Sequence, residues 1–216
     1  MQNSFRDRHE AGQLLAERLR EYDRRDGTIV LALPRGGVPV GFEIATKLAL
    51  PLDVFVVRKL GVPGQRELAM GAIASGGIRV LNEDILNSMP HAAANVSAVT
   101  AQEAQEVERR ERDYRQGRLP PDVSGRVVIL VDDGLATGAT MLAAVAALRQ
   151  KDPAQIVVAV PVCPPETLGE INRVADETVI LFTPKWFRGV GQFYDDFAQL
   201  DDETVRLLLA RAAESN

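Results

Sequence analysis

Residues 127–140, VVILVDDGLATGAT, set the tightest limit on what this chain can fold into. The run from Val127 to Val131 has no polar alternation, so it reads as a strand covered on both faces. TIVLAL (28–33), IVVAVPV (156–162) and TVILF (178–182) have the same character. Between them, VPVGFEIATKL (38–48) has helical period, and residues 137–149 carry Met141, Val145 and Leu148 at i, i+4 and i+7. Doubly covered strands alternating with helices predict an α/β fold, a mainly parallel sheet flanked by helices. DVFVVR (53–58) is a further strand, AMGAIA and IRVL form a short antiparallel excursion around Gly76-Gly77, and residues 97–116 form a charged helix.

Composition narrows the function classes. The 216 residues are 46% apolar, with 25 basic and 30 acidic side chains and a net charge of -5. Such a chain has no global attraction to nucleic acid or an anionic membrane, so an anionic ligand needs a local cluster. Only four basic residues are lysines, Lys47, Lys59, Lys151 and Lys185, which makes a placed lysine more informative than an arginine. Cys163 is the single cysteine, and with His9 and His91 it assembles no cysteine or histidine metal cluster. No leader-like or bilayer-spanning apolar run is present, so a cytoplasmic, membrane-free location is expected.

The opening segment can be read chemically. Asp132 and Asp133 fall at the carboxyl end of the strand, residues 134–138 turn, and a helix begins near Thr137. The free amides and positive dipole end of that helix make a phosphate cradle, to which Thr137 and Thr140 add hydroxyls. Ala136, Gly138 and Ala139 keep the approach open. Two carboxylates beside a phosphate would repel it, so they serve another part of the ligand: a vicinal diol, a divalent metal, or both. Helix capping explains one acid and one threonine but not the ensemble. A Walker B strand would need a G-x-x-x-x-G-K-[ST] loop, which the sequence lacks. A phosphoacceptor receiver would need more chain after Asp133.

With its apolar strand, acid pair and T-G-x-T, this stretch resembles the phosphoribosyl-diphosphate signature of the type I phosphoribosyltransferases, and the order of elements resembles that family from about Thr28 to Phe197. The resemblance implies one phosphoribosyltransferase domain over 1–216, with a core of about 27–182 and a small hood from about 1–25 plus 183–200. It implies that Ala136, Thr137, Gly138, Ala139 and Thr140 hold the 5-phosphate. Asp132 and Asp133 would bind the ribose hydroxyls, directly or through Mg2+ and water. LPRGGVPVG, an anion-wrapping loop between strand and helix, would hold the diphosphate with Arg35, Gly36 and Gly37, and such loops in the family often contain a non-proline cis peptide.

In VRKLGVPGQRELAMG a strand is expected to end at Arg58-Lys59 and lead into a loop that resembles the family's flexible catalytic loop. Lys59 and Arg58 would then neutralise the departing diphosphate. The implied reaction is Mg2+-dependent transfer of the 5-phosphoribosyl group from phosphoribosyl diphosphate to a nitrogen acceptor, a nucleobase or related heterocycle. Six of the eleven aromatics lie between Phe182 and Phe197, and Trp186 and Phe187 are the candidates to stack on the acceptor. Ala136 stands where hypoxanthine-guanine members have an acid, which disfavours a 6-oxopurine, and Gly134 stands where an apolar residue is usual. These departures and the long segment 81–121 point to a separate branch of the family. Expected partners are the phosphosugar, a small-molecule acceptor and a second copy in a homodimer, with no nucleic acid or membrane. A regulatory binder of phosphoribosyl diphosphate or a nucleotide is the alternative.

Overall fold

The computed structural model describes residues 4–88 and 92–214, excluding the side chains of 65–67 and 92–94; His91 falls outside it. In chain order the elements are α1 (Arg8–Arg18), a 3-10 turn (Arg20–Tyr22), β1 (Thr28–Ala32), α2 (Gly37–Leu48), β2 (Leu52–Val54), β3 (Val57–Val62), β4 (Gln65–Ala74) and β5 (Ile78–Leu81). There follow α3 (Glu83–Asn87), α4 (Ala92–Arg115), β6 (Val127–Val131), α5 (Ala139–Arg149), β7 (Gln155–Val162), α6 (Pro165–Ile171), β8 (Glu177–Phe182), a second 3-10 turn (Val190–Phe193) and α7 (Asp202–Glu214).

Five strands form a parallel sheet in the order β2-β1-β6-β7-β8, as the unalternated apolar runs require. Every residue of β1 and β6 is buried. The two-residue period of the strands divides their side chains between two cores: Val30, Ala32, Ile129 and Val131 pack with α2, whereas Ile29, Leu31, Val128 and Leu130 pack with α5. The chain winds outward from β1 to β2 in one direction and from β6 to β8 in the other. The junction of β1 and β6 is therefore the switch point at which such sheets leave a crevice beyond the strand ends.

The sequence expectation needs revision at four places. The stretch 53–58 is not one strand: β2 ends at Val54, the chain turns a corner at Phe55 and Val56, and β3 enters a separate antiparallel sheet, β3-β4-β5. Side-chain capture drives the corner, because the Val56 amide donates to Ser75 Oγ at 2.8 Å while the Phe55 amide still donates to Ala32 O at 3.0 Å. Arg58 and Lys59 thus lie inside β3, opposite Ile73 and Ala72, and not at a strand end. The helix expected from Thr137 starts at Ala139, because Gly138 takes a left-handed φ of 70°. The charged helix begins earlier than expected, at Ala92, and α7 was not anticipated although Val205, Leu208, Leu209 and Ala212 repeat at helical spacing and are buried.

At the amino end, the Asp7 side chain accepts from the Glu10 amide and starts α1. Helix α1 crosses α2 at Gly12, where a Cβ would lie 2.7 Å from Val40 O. That close approach carries Arg8, one turn earlier on the same face, over the crevice. Phe5 forms a bridge with Tyr194. Backbone bonds from Phe5 N to Phe193 O (2.7 Å) and Asp195 N to Phe5 O (2.8 Å) tie the two segments together.

Candidate functional site

Two loops leave the sheet side by side at the switch point. Leu33 N still donates to Val131 O at 2.8 Å, so residues 33–37 after β1 run alongside residues 132–138 after β6. The contact demands glycine. A Cβ on Gly37 would sit 2.6 Å from Val131 O, and one on Gly36 would collide with the Asp133 carboxylate. The Pro34–Arg35 peptide bond is cis, as the resemblance implied.

Asp132 and Asp133 form the floor of the crevice. Asp133 N donates to Asp132 Oδ1 at 2.8 Å, which fixes the Asp132 carboxyl against the backbone of its neighbour. Burial, and after it the charge of Asp133, raises the Asp132 carboxyl well above the usual range. Burial also raises Asp133, against the opposing pull of Arg8. Arg8 Nε lies 2.8 Å from Asp133 Oδ2, and the two side chains are 11% and 13% exposed. Arg8 Nη1 donates to Ala198 O at 3.0 Å, and its guanidinium lies over the Phe197 ring, 3.9 Å from the centroid. Tyr194 donates its hydroxyl to Asp133 O at 2.6 Å.

The turn beyond the acids is exposed and anchored from α6. Ala136, Thr137 and Ala139 are exposed and Thr140 is half-buried, so the first turn of α5 opens to solvent, with Ala139 N donating to Thr137 Oγ1 at 3.5 Å. Thr167 of α6 anchors the turn by donating to Ala136 O at 2.6 Å, and a Cβ on Gly138 would lie 2.6 Å from the Thr167 methyl. Gly134 has a similar packing reason: a Cβ there would meet Val190 at 2.6 Å and Val162 at 2.8 Å. That unusual glycine lets the second 3-10 turn settle on the sheet.

The remaining candidates lie around this centre. Arg35 extends toward α7, with Nη1 3.9 Å from Asp202 Oδ1, and both side chains are over a third exposed. Arg58 Nε is bound to Glu103 Oε2 of α4 at 2.8 Å. Lys59 is exposed and shares its strand face with Val57, which packs in the core that includes Met141 of α5. Both Arg58 and Lys59 line a cavity of about 530 Å³ between the β3–β4 hairpin and α4. Trp186 is 88% exposed, while Phe187 stacks on Phe193 with centroids 5.6 Å apart. Arg8, Tyr194 and Thr167 escaped the sequence reading. Arg8 carried no local signal, because its partner lies 125 residues away.

Two carboxylates on a partly buried floor are the hard oxygen donors that Mg2+ prefers, and no group of three or more acidic, histidine or cysteine side chains occurs among the described residues to cage a metal alone. The pair therefore suits an ion that takes its other ligands from substrate and water. No described helix is long and apolar enough to cross a membrane.

The model of the phosphoribosyl transferase domain matches residues 5–198. Proteins of Mycobacterium tuberculosis named as phosphoribosyl transferases are 46% identical over 208 residues, 96% of this chain and 47% of theirs, so the chain spans about half the length of those relatives. The crystal structure of TT1426 from Thermus thermophilus has 41% identity and a TM-score of 0.86, over 96% of this chain and 98% of that one. A uracil phosphoribosyltransferase of Acinetobacter baylyi is 30% identical over 115 residues, 53% of this chain and 52% of its own.

Proposed function

The chain belongs to the phosphoribosyl transferase family, and from that premise we propose that it transfers the 5-phosphoribosyl group of phosphoribosyl diphosphate to a nitrogen of a nucleobase-like heterocycle, releasing diphosphate. The observation that carries this reading is the contact of Gly36 and Gly37 with Val131, Asp132 and Asp133. It sets the loop after β1 beside the acid pair and the turn after β6, an arrangement that suits one ligand carrying a diphosphate, a diol and a phosphate.

In this mechanism the first-turn amides of α5, with Thr137 and Thr140, bind the 5-phosphate, and Ala136, Gly138 and Ala139 leave it room. Asp132 and Asp133 accept hydrogen bonds from the ribose hydroxyls and are the residues that would hold Mg2+. When bound, that ion supplies charge neutralisation for the phosphate oxygens. The amides of Gly36 and Gly37 and the Arg35 guanidinium orient the diphosphate. Lys59 and Arg58 move onto it as charge develops, with Arg58 giving up Glu103 and Arg35 giving up Asp202. Such partly exposed ion pairs are worth about 0–1 kcal/mol, so exchanging them is cheap. The C1–oxygen bond breaks with its electrons leaving on diphosphate, the acceptor nitrogen's lone pair closes on C1, and the proton that nitrogen sheds passes to diphosphate or water. Trp186 and Phe187 border the acceptor, and the segments around α1 and 183–200 act as its hood.

A regulatory binder is the second reading, favoured by the fact that Arg8, Arg35 and Arg58 all face acidic partners. The deciding experiment incubates the protein with Mg2+, phosphoribosyl diphosphate and a panel of bases and follows diphosphate release. Turnover of any base supports the enzyme. Tight phosphosugar binding without turnover supports the binder, and the absence of both binding and turnover would sink the site assignment.

A further inference from the structure

At the end of α5 remote from the turn 134–138, the chain forms a second, half-open cavity of about 420 Å³. Pockets for small organic molecules span roughly 300 to 1,000 Å³, so this one is large enough for a single-ring ligand with a head group. Eleven helical residues separate it from the turn, roughly 16 Å at 1.5 Å per residue. None of the residues assigned to phosphoribosyl transfer lines it.

The floor is apolar and reaches the sheet: Leu31, Val54, Phe55 and Val123 are each at most 4% exposed. Pro120 and Pro121 form a flat, rigid wall. Glu108 at the rim is exposed, and Arg118 donates to the carbonyls of Arg115 and Leu209; the other charged lining groups fall into two sets. Arg115 is spent on structure, because Nε bonds both oxygens of Asp53 at 3.1 and 2.9 Å, Nη1 bonds Glu111 at 2.6 Å and Nη2 bonds Val54 O at 3.0 Å. Arg112 of α4 and Lys151 just beyond α5 have no ion-pair partner among the described residues.

Lys151 is positioned by a missing side chain. A Cβ on Gly76 would lie 2.9 Å from its Nζ, so the bare turn leaves the ammonium space to lean over the cavity. Ser75 is 4% exposed and accepts the Val56 amide at 2.8 Å, which leaves its hydroxyl hydrogen for an acceptor inside. Burying an apolar floor beside two cations and a hydroxyl donor matches one kind of ligand. A bare inorganic anion would leave the floor uncovered, and a neutral ring would leave the cations unused.

We infer that this cavity is a binding site for a small organic anion, a flat apolar body with one carboxylate or phosphate-monoester head, held between Arg112 and Lys151 with its ring against Phe55 and the two prolines. The site is independent of the crevice above the acid pair.

The test is a titration of the 15N-labelled chain with benzoate, phenyl phosphate, benzyl alcohol and inorganic phosphate. Benzoate or phenyl phosphate should shift the amide resonances of Ser75, Gly76 and Gly117, and which of the two binds more tightly identifies the head group. Benzyl alcohol and inorganic phosphate should bind at least about tenfold more weakly. The double variant Arg112→Ala/Lys151→Ala should lose about tenfold in affinity for the better probe with its melting temperature unchanged. Shifts confined to residues 134–140 would overturn the inference, as would equal binding of benzyl alcohol, undiminished binding by the double variant, or no shift at millimolar probe. A dimer whose formation covers this mouth and is abolished by Arg112→Glu would also overturn it.

Discussion

Arg8 reaches across 125 residues of sequence to place its Nε 2.8 Å from Asp133 Oδ2. The amino-terminal helix thereby sets a cation directly on a buried acid pair, and the same guanidinium rests on Phe197 at 3.9 Å. One side chain joins the terminal segments to the floor of the crevice.

Replacing Arg8 with Met keeps the apolar stem over Phe197 and removes the charge. We expect a loss of about 2 kcal/mol at neutral pH, the worth of a hydrogen bond to a charged group. The sign with pH follows from Asp133. Its carboxyl is raised by burial and held back by Arg8, so losing Arg8 raises it further. A protonated Asp133 needs no cation, so the deficit belongs to neutral pH and closes as pH falls through that raised range. Melting temperatures of both proteins across acidic to neutral pH check this; a gap that widens toward acid would be against it.

Asp132→Asn should stabilise the ligand-free chain. The folded carboxyl is raised, so its stabilising contribution is present in acid, where it is protonated, and is lost as pH rises. An amide keeps the acceptor for Asp133 N and carries no buried charge. The variant should melt a few degrees higher at neutral pH, at roughly 2–4 °C per kcal/mol for a chain of this size, and its advantage should vanish in acid. Calorimetry should show magnesium-dependent binding of phosphoribosyl diphosphate greatly weakened, and lost when Asp133→Asn is added. Undiminished binding by the double variant would make both acids structural.

Gly36→Ala tests the contact between the loops. The backbone at Gly36 is helical, so alanine is allowed there, but its methyl would meet the Asp133 carboxylate. The carboxylate can swing aside only by loosening its bond to Arg8, so the expected loss of stability is about 2 kcal/mol. If Asp133 accepts the ribose hydroxyls as proposed, phosphoribosyl diphosphate binding should fall by about tenfold or more. Equal affinity by calorimetry would separate the two loops functionally.

Lys59→Ala should lower kcat far more than it raises KM, because an exposed lysine that engages only developing charge acts in the transition state. Lys59→Arg should restore little, since a planar fork does not replace a compact ammonium. Steady-state kinetics on an acceptor found in the base panel would decide it. A change in KM alone reassigns Lys59 to ground-state binding.

The features legible in the sequence are local ones. Five consecutive apolar residues before two acids specify a buried strand with its carboxylates at the end, and the T-G-x-T turn follows from the chemistry of a helix start. The small residues of both loops were legible for the same reason, since a close backbone approach needs them whatever the rest of the chain does. The corner at Phe55 and Val56 was not legible, because it depends on Ser75 capturing an amide from nineteen residues away. Nor was the Arg8–Asp133 pair, which exists only because Gly12 lets α1 press on α2. Hydrophobic period is written in neighbouring residues, whereas a buried charge takes its partner from whichever element the packed core brings within hydrogen-bond reach. The cation that guards the acid pair is for that reason a property of the packed fold, set by where α1 comes to rest.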